Sequence, residues 1–146
     1  MMPIALMAAL LLAGPALAEG MLPYEDPSRV ANGEAIYGTH CAACHGTALE
    51  GAPDWRAPGP DGLMPAPPHD ASGHTWHHAD ALLVDIVTRG TEAVVGGDYR
   101  SGMIGFGEVL TKDEILDVLA FIKSTWPEEI VEIHNDVNRR AAIFRD

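Results

Sequence analysis

Cys41-Ala42-Ala43-Cys44-His45 decides how the rest of this chain is read. Its cysteines are the only two among 146 residues, and a histidine follows the second directly. This C-x-x-C-H spacing is the pattern of c-type haem attachment. Two thiols on one turn of chain can each add across a haem vinyl group. The adjacent imidazole of His45 is then placed to serve as the proximal iron ligand. Three other uses of two cysteines fit less well. A thioredoxin-like pair belongs after a strand in a βαβ pattern, and no such pattern is visible. A structural zinc site needs four ligands, and the cysteines stop at two. A disulfide spanning so short a loop stabilises little.

On the N-terminal side of the motif, Asp26-Pro27 predicts a helix start, with Asp as N-cap and Pro in the first turn. Val30, Gly33, Tyr37 and Cys41 then recur at spacings of three, four and four, which puts them on one helical face. Residues 19–26 read as an exposed lead-in. Residues 3–18 are apolar or small and uncharged, ending in Ala16-Leu17-Ala18 before Glu19. That is a secretory signal with an A-x-A cleavage site, so export and a mature start at Glu19 are expected. The run is short for a membrane span, which needs about 20 apolar residues, so no span is expected after signal cleavage. All charge lies beyond it, and the mature chain keeps a formal net charge of −12 from 21 acidic and 9 basic residues. That excess argues against nucleic acid and against an anionic membrane surface. It leaves a basic protein partner or simple solubility.

On the C-terminal side, residues 46–78 hold five glycines and six prolines with no sustained helix or strand period. A loop this long inside one compact domain needs something to pack on, and a haem face provides it. Asp80 is the expected N-cap of a short amphipathic helix, Ala81–Arg89, with Gly90 past its end. Residues 90–110 are again a glycine-rich loop. Thr111-Lys-Asp-Glu114 forms a capping box. It opens a helix with the stripe Ile115, Val118, Leu119, Ile122 and Trp126, ended by Pro127. Glu128 to about Arg140 reads as a further helix whose stripe is Ile130, Ile133 and Val137. The fold class is all-α: three to five helices, with long loops around a cofactor.

The motif and its flanking helices resemble the cytochrome c family, in its class I monohaem form of exported bacterial type, over residues 28–126. The resemblance implies a small helical fold wrapped around one covalently attached haem c, with Cys41 and Cys44 as thioether links. It implies His45 and Met103 as axial iron ligands. Met103-Ile104-Gly105-Phe106 resembles the family's Met-Pro-(Gly/Ala)-Phe segment, with Ile in place of Pro and one φ restraint fewer. Met64 is expected to line the pocket or to be exposed. In the family the long loop covers one side of the haem, and a proline carbonyl there accepts the proximal Nδ1–H bond; Pro53 and Pro58 are the candidates. The first and last core helices cross, which would set Gly33 and Tyr37 against Val118 and Phe121. The organisation implied is signal peptide 1–18, lead-in 19–27, cytochrome domain 28–126 and helical tail 127–146.

His69, His74, His77 and His78 form a His-rich tract, a composition that can hold metal. Placed in an irregular loop, they are expected instead to bond haem propionates or loop backbone, or to be solvated. Trp55, Arg56, Trp76 and Arg100 are donors suited to a propionate. No Ser/His/Asp arrangement, suggestive carboxylate pair or phosphate loop is present, so an electron carrier is expected rather than an enzyme. A His/Met iron leaves no open position for substrate. The resemblance therefore implies a periplasmic shuttle of single electrons between a redox-protein donor and acceptor, and the net charge of −12 suits a partner with a basic docking patch. Two alternatives stand beside it: the cytochrome subunit of a periplasmic dehydrogenase complex, and a haem-based sensor or peroxidase with a labile distal ligand.

Overall fold

The structure is a computed structural model that describes residues 20–143. The expected signal peptide lies outside the described residues. In chain order the elements are α1 (Pro27–His40), α2 (Ala42–His45), a 3-10 turn (Thr75–His77), α3 (Asp80–Arg89), α4 (Thr91–Val95), α5 (Lys112–Ser124) and α6 (Glu128–Ile143). Among the described residues there is no strand, only two isolated bridges, Met64 with Ser101 and Gly90 with Ile104. The all-α class holds. Among the described residues the helices number six against the expected three to five, because α2 and α4 are short pieces of 4 and 5 residues. Pieces that short carry too little periodicity to be read from sequence.

Local chemistry starts the two central helices. The Asp26 carboxylate accepts from the amides of Ser28 at 2.9 Å and Arg29 at 3.3 Å, with Pro27 in the first turn of α1. At α5, Glu114 N–H donates to Thr111 Oγ1 at 3.3 Å and Thr111 N–H donates to Glu114 Oε2 at 2.8 Å, the reciprocal box expected. The stripe Ile115, Val118, Leu119, Ile122 and Trp126 is buried throughout. α1 and α5 cross where Gly33 faces α5: a Cβ there would lie 1.9 Å from the Asp117 carbonyl oxygen and 2.9 Å from Phe121 Cβ. Tyr37 meets Phe121 one turn on, with ring centroids 5.5 Å apart. The contact at Gly33 is thus with Asp117 and Phe121 rather than Val118. The buried Asp117 carboxylate clamps the crossing, accepting from Arg29 Nε and from Asn32 Nδ2 at 2.7 Å.

α6 docks differently from the expected stripe. Its buried residues are His134, Asn135 and Asn138, while Ile133 is exposed and Ile130 packs at the margin of the core. Polar partners set the rotation of the helix. His134 Nε2 donates to the His78 carbonyl at 3.0 Å and lies 3.3 Å from Asp80 Oδ1. Asn138 Oδ1 accepts from the Asp80 amide at 2.8 Å, and Asn135 Oδ1 accepts from Lys123 Nζ at 2.6 Å. Lys123, which flanks the apolar stripe of α5, is fully buried, with its ammonium 4.2 Å above the Tyr24 ring.

Asp80 is not the N-cap of α3. Ala79 takes that position, and Asp80 begins the helix with its carboxylate turned to the lead-in. It accepts from Met21 N–H at 2.6 Å and Leu22 N–H at 3.3 Å. The lead-in is therefore not simply exposed, since Leu22 joins the core. α5 ends at Ser124, before Pro127, whose carbonyl receives the first bonds of α6 from Ile130 and Val131.

Two outcomes are expected from this packing. Gly33→Ala should destabilise by about 1–3 kcal/mol through overpacking, whereas Gly38→Ala, with open space around it, should stabilise by up to about 1 kcal/mol. Equal thermal midpoints for the two variants would refute the tight crossing. Burial holds the His134 imidazole below its ordinary pKa; Asp80 pulls it up and Lys123 pulls it down. The unfolded chain binds that proton as pH falls through about 6.5, the folded chain only at lower pH. Stability is thus fully present above that value and declines as pH drops toward the folded pKa. Urea unfolding at about pH 7.5 and about pH 5.5 should show a smaller acid loss for His134→Gln than for the parent; an equal loss would place the titration elsewhere.

Candidate haem site

α1 runs out at His40, and Cys41 caps it with its N–H on the Tyr37 carbonyl at 2.9 Å. One further helical turn follows, in which His45 N–H returns to the Cys41 carbonyl at 2.9 Å, and Gly46 at φ 82° stops it. Cys41, Cys44 and His45 sit at i, i+3 and i+4 of this turn, so the three side chains share a face. The turn is anchored by Tyr37 Oη donating to the Gly46 carbonyl at 2.8 Å and by Gly51 N–H donating to the His45 carbonyl at 2.8 Å. Both cysteines are free, Cys41 half-buried and Cys44 exposed. Burial, with Cys44 adding to it, pushes the Cys41 thiol up to about 11. A redox or nucleophilic cysteine is tuned the opposite way.

The His45 ring is buried, and its Nδ1 lies 2.9 Å from the Pro67 carbonyl oxygen. A carbonyl only accepts, so Nδ1 carries the proton and Nε2 keeps its lone pair, the tautomer a metal ligand uses. Burial lowers the His45 pKa and so favours the neutral ring, an effect the Pro67 bond partly offsets. Two thiols and one oriented neutral imidazole on a single turn fit covalent haem.

Pro67, not Pro53 or Pro58, supplies the carbonyl. The loop doubles back before it reaches His45, with Ala52 N–H on the Ala66 carbonyl at 2.8 Å. Pro67-Pro68 is then gripped between two glycines. A Cβ on Gly51 would lie 2.4 Å from Pro68 N, and one on Gly73 would lie 2.0 Å from the Pro68 carbonyl oxygen. Those close approaches fix where the Pro67 carbonyl points. The Pro-Pro step was visible in the sequence; the glycines that pin it lie 16 and 6 residues away from Pro67 in opposite directions.

The Met103 segment is strapped on two sides. Met64 N–H donates to the Arg100 carbonyl at 2.9 Å. On the other side, Thr91 N–H reaches the Met103 carbonyl at 3.3 Å, and Phe106 N–H donates to the Val87 carbonyl at 2.8 Å. These bonds supply the restraint that Ile104 does not. Met103 and Met64 are both half-buried, and Ile104 is 68% exposed.

The histidine tract divides. His69 stacks on His45, with centroids 4.1 Å apart and planes 24° apart, and burial followed by the neighbouring histidines holds its pKa well below the usual value. His74 stacks on Trp55 at 5.0 Å, with Arg56 over the same indole, and His77 stacks on Trp76. Of the expected propionate donors, Trp76 Nε1 donates to the Ala71 carbonyl at 3.3 Å and Arg100 pairs with Glu92 at 3.0 Å. Among the described residues, no three His, Cys, Asp or Glu side chains are grouped to hold a separate metal ion. Trp126, read only as core, donates Nε1 to the His69 carbonyl at 2.7 Å; a buried indole needs such an acceptor.

Comparison with known proteins follows the same lines. A family model described as Cytochrome c matches residues 30–126. The chain is 29% identical over 126 residues to a nitrite reductase of Stutzerimonas stutzeri, covering 82% of this chain and 20% of that protein. It is 39% identical over 70 residues to a Cbb3-type cytochrome c oxidase subunit CcoP of Azospirillum sp. (strain B510), covering 48% of this chain and 22% of that one. It thus spans about a fifth of the length of the curated relatives it matches. No solved structure gives a significant match.

Proposed function

Because this chain belongs to the cytochrome c family, we propose that it is an exported electron carrier holding one haem c through Cys41 and Cys44. His45 Nε2 and the Met103 thioether are the axial ligands. The observation that carries this reading is the His45–Pro67 bond at 2.9 Å on the same turn as both cysteines. It leaves a neutral imidazole with Nε2 free to bind iron. When bound, the haem supplies a one-electron Fe(III)/Fe(II) couple. The chain's own residues do the rest: the turn holds the attachment points, Pro67 sets the tautomer, and the strapped 101–107 segment presents a soft sulfur ligand that favours the reduced state. With His45 and Met103 both supplied by the chain, the iron would have no open position for substrate, so the chain would move electrons without binding one.

Its partners are larger redox proteins. The net charge of −12 favours a partner with a basic docking patch. Signal cleavage before Glu19 and a periplasmic location follow from the apolar run ending in Ala16-Leu17-Ala18; among the described residues no helix is long and apolar enough to cross a membrane. The relatives, a nitrite reductase and an oxidase subunit, also favour a second reading, in which the chain works as the cytochrome subunit of an oxidoreductase.

Absorption spectra of the purified, oxidised protein test the ligands. Met103→Ala should abolish the weak near-red sulfur-to-iron charge-transfer band and let carbon monoxide bind the reduced form, while Met64→Ala should change neither. The reverse pattern would move the ligand to Met64, and carbon monoxide binding by the parent protein would favour a sensor or peroxidase. Docking is tested by the second-order electron-transfer rate with the native partner against salt. Steering of about 10- to 1000-fold at low salt should fade as the screening length falls from about 10 Å at 0.1 M to about 3 Å at 1 M. A flat curve would replace steering with apolar contact through Ile104 and Phe106.

A further inference from the structure

Building on the haem-binding reading above, we propose that His69 is a positioning residue: its ring, lying flat against the His45 imidazole, fixes the plane in which that imidazole meets the iron. One hydrogen bond does not fix a ring plane. A carbonyl oxygen accepts over a broad range of directions, so the Pro67 bond alone leaves the imidazole free to rock about it. A flat neighbour 4.1 Å away and 24° from parallel blocks that rocking on one side.

What sets His69 apart from a residue that merely fills space is how it is held. Its N–H donates to the Leu49 carbonyl at 2.8 Å and its carbonyl accepts from Trp126 Nε1 at 2.7 Å. Its Nδ1 lies 2.8 Å from Thr75 Oγ1, and the Tyr37 ring meets its edge at 6.4 Å and 74°. Backbone and ring are thus fixed separately, from the loop, the 3-10 turn, α1 and the residue just beyond α5. A space-filling side chain needs no bond at its ring nitrogen. Here that bond, between Nδ1 and Thr75 Oγ1, stops the ring from turning about its own Cβ–Cγ axis and so keeps the two planes aligned.

The readout is the plane of the ligand rather than activity. In a low-spin ferric haem the unpaired spin follows the axial ligand planes, so the order and spread of the four haem-methyl proton resonances report the imidazole orientation. His69→Leu, similar in bulk without a flat ring, should shift this pattern in the oxidised holoprotein. His69→Phe, which keeps a flat ring, should retain the parental order. Thr75→Val, which keeps His69 but frees its ring, should shift the pattern to a smaller extent. A parental pattern in folded, haem-loaded His69→Leu overturns the proposal, and so do equal shifts in the Leu and Phe variants. Should His69→Leu fail to hold haem, Thr75→Val decides: an unshifted pattern there overturns the proposal and a shifted one supports it. A parent protein with no covalent haem would instead overturn the functional reading itself.

Discussion

A single hydrogen bond, from the His45 ring to the Pro67 carbonyl, ties the C-x-x-C-H turn to the far limb of the long loop. Its net contribution to stability is modest, about 1 kcal/mol. Its importance is directional. It selects the tautomer, and it requires the loop to arrive at one place, which explains why residues 46–78 can lack regular structure yet be fixed. Gly51 and Gly73 hold the Pro67-Pro68 step from both sides, and Leu49 and Trp126 hold His69 just beyond it. The loop is organised by what it delivers to His45.

Beneath α6 the logic is polar. His134, Asn135 and Asn138 meet Asp80, His78 and Lys123, so this helix is registered by directional bonds more than by apolar area. Removing one member would strand buried partners, each worth about 1–3 kcal/mol when unsatisfied. Such an interface is specific because few rotations of α6 satisfy it. It also accounts for the buried lysine beside the α5 stripe, whose ammonium donates to Asn135.

How much of this was legible follows from sequence distance. The Asp26-Pro27 start, the Thr111/Glu114 box and the α5 stripe are settled by residues within a turn or two, and all three are where the sequence put them. The α1–α5 crossing came from the family resemblance, which put Gly33 at it, though the nearest neighbour of Gly33 is the Asp117 backbone. Pro67 was missed because its position depends on glycines elsewhere in the loop. Asp80 was read as a cap because Asp before an apolar run usually is one, and nothing local shows that residues 21 and 22 claim its carboxylate. The α6 stripe failed for the same reason: three isoleucine and valine positions suggested one face, and three distant polar partners, His78, Asp80 and Lys123, selected another. Met103 stood out by its place before a capped helix. His69 was hidden among three similar residues until the fold separated them.

Asp80 gathers the Met21 and Leu22 amides from one direction in the chain and Asn138 from the other, each some 58 or 59 residues away. Contacts of such separation become favourable only after a long stretch of chain has closed, so this clasp forms later than local elements such as the haem-motif turn. Interactions absent when the folding barrier is crossed do not speed folding; they slow unfolding. A clasp that closes only after that barrier acts on persistence, prolonging the life of the folded chain rather than hastening its formation.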